Sequence, residues 1–153
     1  MDDMAPIYNS RIIDVFLKYC IKNYPDMDID SVLADANMGR HEVEDPVCWF
    51  SQRQVDDFHE AIVNKTGNPN IAREAGRFTV SSDSLGALKE YTIGLMPLTS
   101  AFLFMDKIYS IMSRASNVIV KKLGSNKVEI TNTPKPGIKE KPYQCENRIG
   151  TFE

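Results

Sequence analysis

The sequence predicts an α+β fold that is mainly helical, with about six helices and a C-terminal β-hairpin. Three observations predict it. An apolar stripe at helical spacing, made of Leu98, Ala101, Phe102, Met105, Ile108, Tyr109 and Met112, faces away from Ser100, Asp106, Lys107, Ser110, Ser113 and Arg114. Directly after it the hydrophobic period changes from about 3.6 residues to about 2, which marks a change from helix to strand. The segments before it carry repeated helix-start and helix-stop residues. The stretch from Leu95 to Thr133, a long helix over Leu98 to Arg114 followed by a hairpin over Val118 to Thr131, reads as the unit around which the chain is organised.

In order along the chain, Asn9 or Ser10 caps a first helix that runs to about Asn23. Ile12, Ile13, Phe16, Leu17, Cys20 and Tyr24 form its inner stripe, and Asp14 and Lys18 pair at i,i+4 outside. Tyr24 precedes Pro25 and so ends it, because the residue before proline avoids the α region. A short helix follows from about Ile29 to Asn37, capped by Asp28 or Asp30 and stopped by Gly39. Arg40 to Cys48 reads as an acidic loop broken at Asp45-Pro46.

Ser51-Gln52-Arg53-Gln54 is a capping box opening a helix to about Lys65, with Val55, Phe58, Ile62 and Ala61 inward. Trp49 or Phe50 would staple its start, and Thr66-Gly67 closes it. Asn68-Pro69 starts the next helix, to about Phe78, and a further short helix begins at Ser82 or Asp83 with Leu85, Leu88, Ile93 and Leu95 as its apolar positions. Gly94 and Pro97 separate that from the long helix, where proline suits the first turn. The β-branched runs Val118-Ile119-Val120 and Val128 to Thr131 flank Gly124-Ser125-Asn126, a hairpin loop. Pro134 to Gly137 is a turn, and Tyr143 to Glu153 begins a last helix.

The chain of 153 residues fits one domain by size, and 42% hydrophobic with 25% charged residues is an ordinary globular balance. A net charge of −3 argues against a nucleic-acid surface, which needs clustered Lys and Arg to displace counterions. No run of about 18 apolar residues is present to span a bilayer, and the acidic start lacks the apolar core of a secretion signal. Cys20, Cys48 and Cys145 are odd in number and widely spaced, which reads as reduced thiols in a cytoplasmic protein.

No catalytic constellation emerges. His41, Glu42, Glu44, Asp45 and Cys48 are the densest ligand-type cluster, but they lack a Cys-x-x-Cys spacing and read as a solvated loop, so no metal site is assigned. His59 falls at the border of the wet and buried faces of its helix, with no nucleophile or acid assignable to it. Cys145 is the candidate redox thiol, because a nearby Arg148 would favour its thiolate. Phe102, Phe104, Met105, Tyr109 and Met112, with Trp49, are the candidate lining of a pocket for a small apolar ligand; core packing is the competing reading. Lys121, Lys122 and Lys127 read as a solvated face.

Several segments carry a resemblance: Asn9 to Ile13, Asp45-Pro46 before Trp49 to Val55, Thr66 to Asn70, Leu85-Gly86 before Gly94 to Met96, and Cys145 to Gly150. Together they resemble the N-terminal sensory region of bacterial hybrid histidine kinases related to the haem-NO-binding and vinyl-reductase-like ligand-binding superfamily. A fainter similarity is to the ligand-binding domain of AraC-type regulators. The resemblance implies the front part of a ligand-binding sensor fold, without catalysis of its own, whose output is a kinase with response-regulator modules. It also implies a chain that continues past Glu153. A homodimer is expected because a lone two-stranded hairpin is marginal in water and a two-fold pairing of helices or hairpins would cover apolar surface. The segment before the long helix lacks a histidine for a proximal ligand, and Tyr109 to Arg114 differs in spacing from the Tyr-x-Ser-x-Arg motif of haem-binding members. Haem is therefore not expected and the cofactor is left unassigned. The alternatives are an AraC-type regulator domain and a small thiol-dependent enzyme using Cys145 or His59.

Overall fold

The computed structural model describes residues 4–81 and 98–153; within 98–112 the side chains of 98, 99 and 104–106 fall outside the description. The helix expected from Asp83 lies outside the described residues. The elements run β1 (Pro6–Asn9), α1 (Ser10–Asn23), α2 (Ile29–Asp35), α3 (Arg40–Glu44), β2 (Trp49–Ser51), α4 (Gln52–Thr66), α5 (Ile71–Thr79), α6 (Leu98–Met112), β3 (Ser116–Gly124), β4 (Lys127–Pro134) and α7 (Pro142–Phe152). The fold is α+β and mainly helical with a C-terminal hairpin, as the periodicity predicts.

Caps fix the helix starts. Asn9 Oδ1 accepts from Arg11 N at 3.2 Å, and Asp28 Oδ1 accepts from Ser31 N at 3.1 Å. At α4 the capping box forms in full: Ser51 Oγ accepts from Gln54 N at 3.2 Å, and Gln54 Oε1 accepts from Ser51 N at 3.1 Å. Gly67, at φ +65°, ends α4 in the left-handed conformation that glycine adopts without a Cβ clash. Asn68 does not start α5. Its Oδ1 accepts from Asn70 N at 2.9 Å in a side-chain turn, and the helix begins at Ile71.

Two expectations are corrected. Arg40 to Glu44 is a helical turn rather than loop, and Gly39, expected only to stop α2, is its N-cap. Glu42 reaches back to accept from Gly39 N at 2.7 Å, which gives the acidic run a helical use. Trp49 and Phe50 are not merely a staple before α4 but lie in β2, antiparallel to β1 with Tyr8 opposite Phe50 and Asn9 opposite Trp49. Ser113 bridges to Tyr8 from β1's other side, and Arg114 N donates to Ile7 O at 2.8 Å.

The buried core comes mainly from β1, α1, α2, β2, α4 and α5: Ile13, Phe16, Val32, Phe50, Phe58, Ile62 and Ile71 are its largest members or near them. The long helix α6 is not its centre. Its described stripe residues Ala101, Phe102, Tyr109 and Met112 are half-buried, and Ile108 is exposed. The β3–β4 hairpin pairs Val120 with Ile130 and Ile119 with Thr131. Val118, Val120, Val128 and Ile130 are half-buried on one face, and Ile119 and Leu123 are exposed on the other.

Asn9 and Ser10 knot the start of α1 to the preceding turn of β2. Asn9 Nδ2 donates to the carbonyls of Pro46 and Cys48, each at 3.1 Å, and Ser10 Oγ donates to Asp45 O at 2.6 Å. Helices α5 and α7 cross at glycines. A Cβ on Gly76 would stand 2.1 Å from Asn147 O, and one on Gly150 would stand 2.0 Å from Arg73 O. Asn147 Nδ2 uses that closeness to donate to Ala72 O at 2.9 Å.

Gly→Ala in an open helix interior gains up to about 1 kcal/mol. At Gly76 and Gly150 the obstacle is backbone, so we expect Gly76→Ala and Gly150→Ala each to lose about 3 kcal/mol or more in urea unfolding. An unchanged or raised midpoint would show that the two helices are not clamped there. Asn9→Ala strands the Arg11 N cap donor and the Pro46 carbonyl, while Cys48 O keeps Ser10 N, and the same measurement should read a loss of about 1–3 kcal/mol.

Candidate functional site: a cavity with a polar wall

Helices α1, α4, α6 and α7, with Tyr8 of β1, Thr79 of α5 and Ser116 of β3, line a half-open cavity of about 120 Å³. Helix α1 contributes Ile12, Val15 and Phe16, with Arg11 exposed beside them. Helix α4 contributes Val55, Phe58 and His59, α6 contributes Ile108, Tyr109 and Met112, and α7 contributes Tyr143, Gln144, Asn147, Arg148 and Thr151. The α7 set recurs at i, i+1, i+4, i+5 and i+8, one face of a helix. On α4, Gln52, Asp56 and His59 recur at i, i+4 and i+7 and line up on one stripe.

The polar wall is a connected network. Tyr8 OH donates to Gln52 Oε1 and accepts from Gln144 Nε2, both at 2.6 Å. Gln52 Nε2 donates to Asp56 Oδ1 at 2.8 Å, and Tyr143 OH donates to the same oxygen at 2.7 Å. Lys141 Nζ stands 3.2 Å from Asp56 Oδ2, and Gln144 Oε1 accepts from Lys141 N at 2.8 Å. Beside it Arg148 grips Glu140 with two hydrogen bonds, 3.0 and 2.6 Å, each side chain under one-fifth exposed. Burial pushes the Tyr8 phenol up to about 12. The Tyr143 phenol is raised further by burial and by the Asp56 carboxylate, so both tyrosines stay protonated donors.

His59 lies flat on Tyr143, with ring centroids 3.9 Å apart and planes 11° from parallel. Its Nε2 is buried without a hydrogen-bond partner, which leaves one polar atom of this wall unsatisfied. Burial lowers its pKa to about 4, with Asp56 opposing and Lys141 reinforcing the shift. The imidazole is therefore neutral near pH 7, able to donate or accept at Nε2 according to its tautomer.

The residues singled out from sequence are distributed as follows. Tyr109 and Met112 stand on the cavity wall. Phe102 packs on Phe152 at 6.0 Å, and Trp49 lies under the Arg114 guanidinium at 3.8 Å, so neither lines this cavity. The side chains of Phe104 and Met105 are outside the described residues. Cys145 is an exposed free thiol, and the Arg148 expected beside it is turned to Glu140. Cys20 is buried, with its thiol pushed up to about 12, and Cys48 is half-buried. Among the described residues no group of three or more His, Cys, Asp or Glu side chains gathers where it could hold a metal ion. Tyr8, Gln52, Asp56, Tyr143 and Gln144 are not singled out as site residues by the sequence, and Arg148 is named there only as a neighbour of Cys145. The Gln52–Asp56–His59 spacing beside the apolar stripe of α4 is the one local signal that pointed there.

No family model, no curated protein and no solved structure matches this chain.

The His59 shift has a fixed sign. Between pH 6.5 and about 4 the unfolded chain takes up a proton at His59 that the folded chain refuses, so this group's stabilising contribution is lost as pH falls through that window. We expect the melting temperature of His59→Gln to fall less than that of the parent between those pH values. Parallel curves would mean that His59 is accessible to protons in the folded state.

Proposed function

We propose that this domain is the small-molecule-sensing input of a bacterial two-component sensor histidine kinase, cytoplasmic and without catalysis of its own. The observation that carries the sensing part is the cavity of about 120 Å³, mostly apolar but backed by a hydrogen-bonded wall, the composition of a small-ligand site. The kinase part rests on the sequence resemblance described above. No described helix is long and apolar enough to cross a membrane, which is compatible with a cytoplasmic input. Because α7 supplies five wall residues, an occupant of the cavity would touch α7 together with α1, α4 and α6, so its binding would bias how these helices pack. In this reading the domain acts as a homodimer, with a signal passed by a shift at the two-fold interface.

The test uses the intact gene product. We expect it to carry a phospho-acceptor histidine and an ATP-binding region. Filling the cavity with Met112→Trp, or with Val15→Phe where the tryptophan prevents folding, should change autophosphorylation from ATP by about fivefold or more in either direction. A gene product with paired helix-turn-helix units instead would make this a transcription-regulator domain. A kinase whose rate ignores both substitutions, in protein shown folded by circular dichroism, would refute the sensing role. Light scattering that finds a strict monomer at high concentration would remove the homodimer.

A further inference from the structure

Burial along α1 grades the cavity from a dry end to a wet one. Arg11, Ile12, Val15 and Phe16 recur at i, i+1, i+4 and i+5, so they share one face, and that face borders the cavity. Phe16 is buried, Ile12 and Val15 are half-buried, and Arg11, one helical turn before Val15, is exposed. The charges of the lining have one sign. Among its described residues there is no aspartate or glutamate, and its cationic side chains are Arg11 and Arg148. Arg148 is held by Glu140, whereas the Arg11 guanidinium has no ion-pair partner among the described residues.

The inner wall needs no further partner. Tyr8, Gln52, Gln144 and Tyr143 hydrogen-bond to one another and to Asp56, and Asp56 is paired with Lys141. A charge carried that far in would lose its hydration and meet no unpaired counter-charge. A charge kept at the exposed edge retains much of its water and meets a guanidinium, whose planar fork matches a carboxylate. The volume, about 120 Å³, is near the roughly 150 Å³ of a cavity that holds one benzene ring, which sets the apolar part of a guest at about six carbon atoms.

Resting on the sensory reading above, we infer that the cavity takes a small monocarboxylate, its apolar body against Ile12, Val15, Phe16 and Met112 and its carboxylate paired with Arg11 at the mouth. The apolar body supplies most of the binding. The ion pair, being exposed, adds little energy but gives the choice between guests a definite sign. A carboxylate is preferred over the amide of the same shape, and an ammonium is disfavoured because it meets a like charge.

The experiment titrates hexanoate, hexanamide, hexylamine and adipate separately into the nitrogen-labelled chain at neutral pH and low salt, following backbone resonances of α1 and α6 and the Arg11 Nε resonance. Hexanoate should bind at millimolar concentration or below, about threefold or more tightly than hexanamide, and should move the Arg11 Nε resonance. Hexylamine should bind more weakly than the amide. Adipate, charged at both ends, should bind more weakly than hexanoate, because its second carboxylate is driven inward. The margin of hexanoate over hexanamide should shrink as salt rises from about 0.05 M to about 0.5 M. Arg11 is exposed, so its substitutions keep the fold. Arg11→Gln should bring hexanoate to the level of hexanamide and leave the amide unchanged, and Arg11→Glu should place hexylamine ahead of hexanoate. Met112→Trp, or Val15→Phe where the tryptophan prevents folding, should remove the binding of hexanoate and hexanamide alike.

Hexanamide or hexylamine matching hexanoate in the parent, or a hexanoate margin that survives Arg11→Gln, would overturn the pairing with Arg11. Hexanoate binding that survives the filled cavity would place the anion on the outer surface and overturn the site. Adipate binding as tightly as hexanoate would overturn the restriction to one charge. If none of the four probes moves a cavity resonance at about 10 mM, the whole inference is overturned. The kinase response to Met112→Trp then decides the sensory reading on its own.

Discussion

The approach of α7 to α5 is the constraint on which the rest of this structure depends. Helices separated by ordinary side chains meet through those side chains; here Gly76 and Gly150 let each backbone touch the other's carbonyl. The contact buries Ala72, Ala75 and Thr151 and gives Asn147 a backbone partner on α5. At the outer rim Arg73 and Arg77 pair with Glu153, and Arg73 also pairs with Glu146. Such exposed pairs contribute little individually, so the glycines rather than the charges set the geometry. A consequence is that the opposite edge of α7 is held at a fixed depth, and that edge carries Tyr143, Gln144 and Arg148 into the cavity.

The buried network built on Gln144 follows from that placement. It joins residues from β1, α4 and α7 that lie 44, 92 and 136 positions apart in sequence. Apolar side chains in the same places would pack in several registers. A ring of donors and acceptors with complementary roles has one satisfied arrangement, and any slip of α7 leaves polar groups buried without partners. Asp56 is the branch point, held by a phenol, an amide and an ammonium together. The cost of burying its charge is met by those three partners, which is why the carboxylate can stand only 14% exposed behind the cavity wall.

What the sequence made legible was local. Asn9, Asp28 and the Ser51–Gln54 box announce helix starts because a cap needs only residues within three positions of one another. The β3–β4 hairpin was legible for the same reason: its strands alternate over enough residues to display a period of two and are joined by a turn. Strands β1 and β2 are four and three residues long and pair across the whole of residues 10–48, so neither pattern nor turn betrays them. The cavity was legible only in part. Tyr109 and Met112 fall on a visible stripe, but apart from Gln52–Asp56 at i,i+4 the network is made by pairs from different elements, whose spacing carries no periodic signal. The amphipathicity of α6 also overstated its place: a strong stripe shows which face turns inward, not how deeply the helix is buried.

That a cavity survives in so small a fold has a physical reason. An apolar void closes when a bounding element can move into it, and relaxation is partial where each wall is fastened elsewhere. Helix α1 is fastened by the Asn9–Ser10 knot to residues 45–48, and α4 by its capping box and by Phe58 and Ile62 in the core. Helix α6 is fastened by the Tyr8–Ser113 bridge and the Arg114–Ile7 hydrogen bond that follow its last turn. Helix α7 is fastened by two glycines that cannot be approached more closely. Collapse would have to break one of these anchorages, each built from hydrogen bonds or backbone contact. Hydrophobic closure of about 120 Å³ recovers only a few kcal/mol at about 24 cal/mol per Å³, comparable with the loss of a single anchorage. The volume therefore persists as a property of the scaffold.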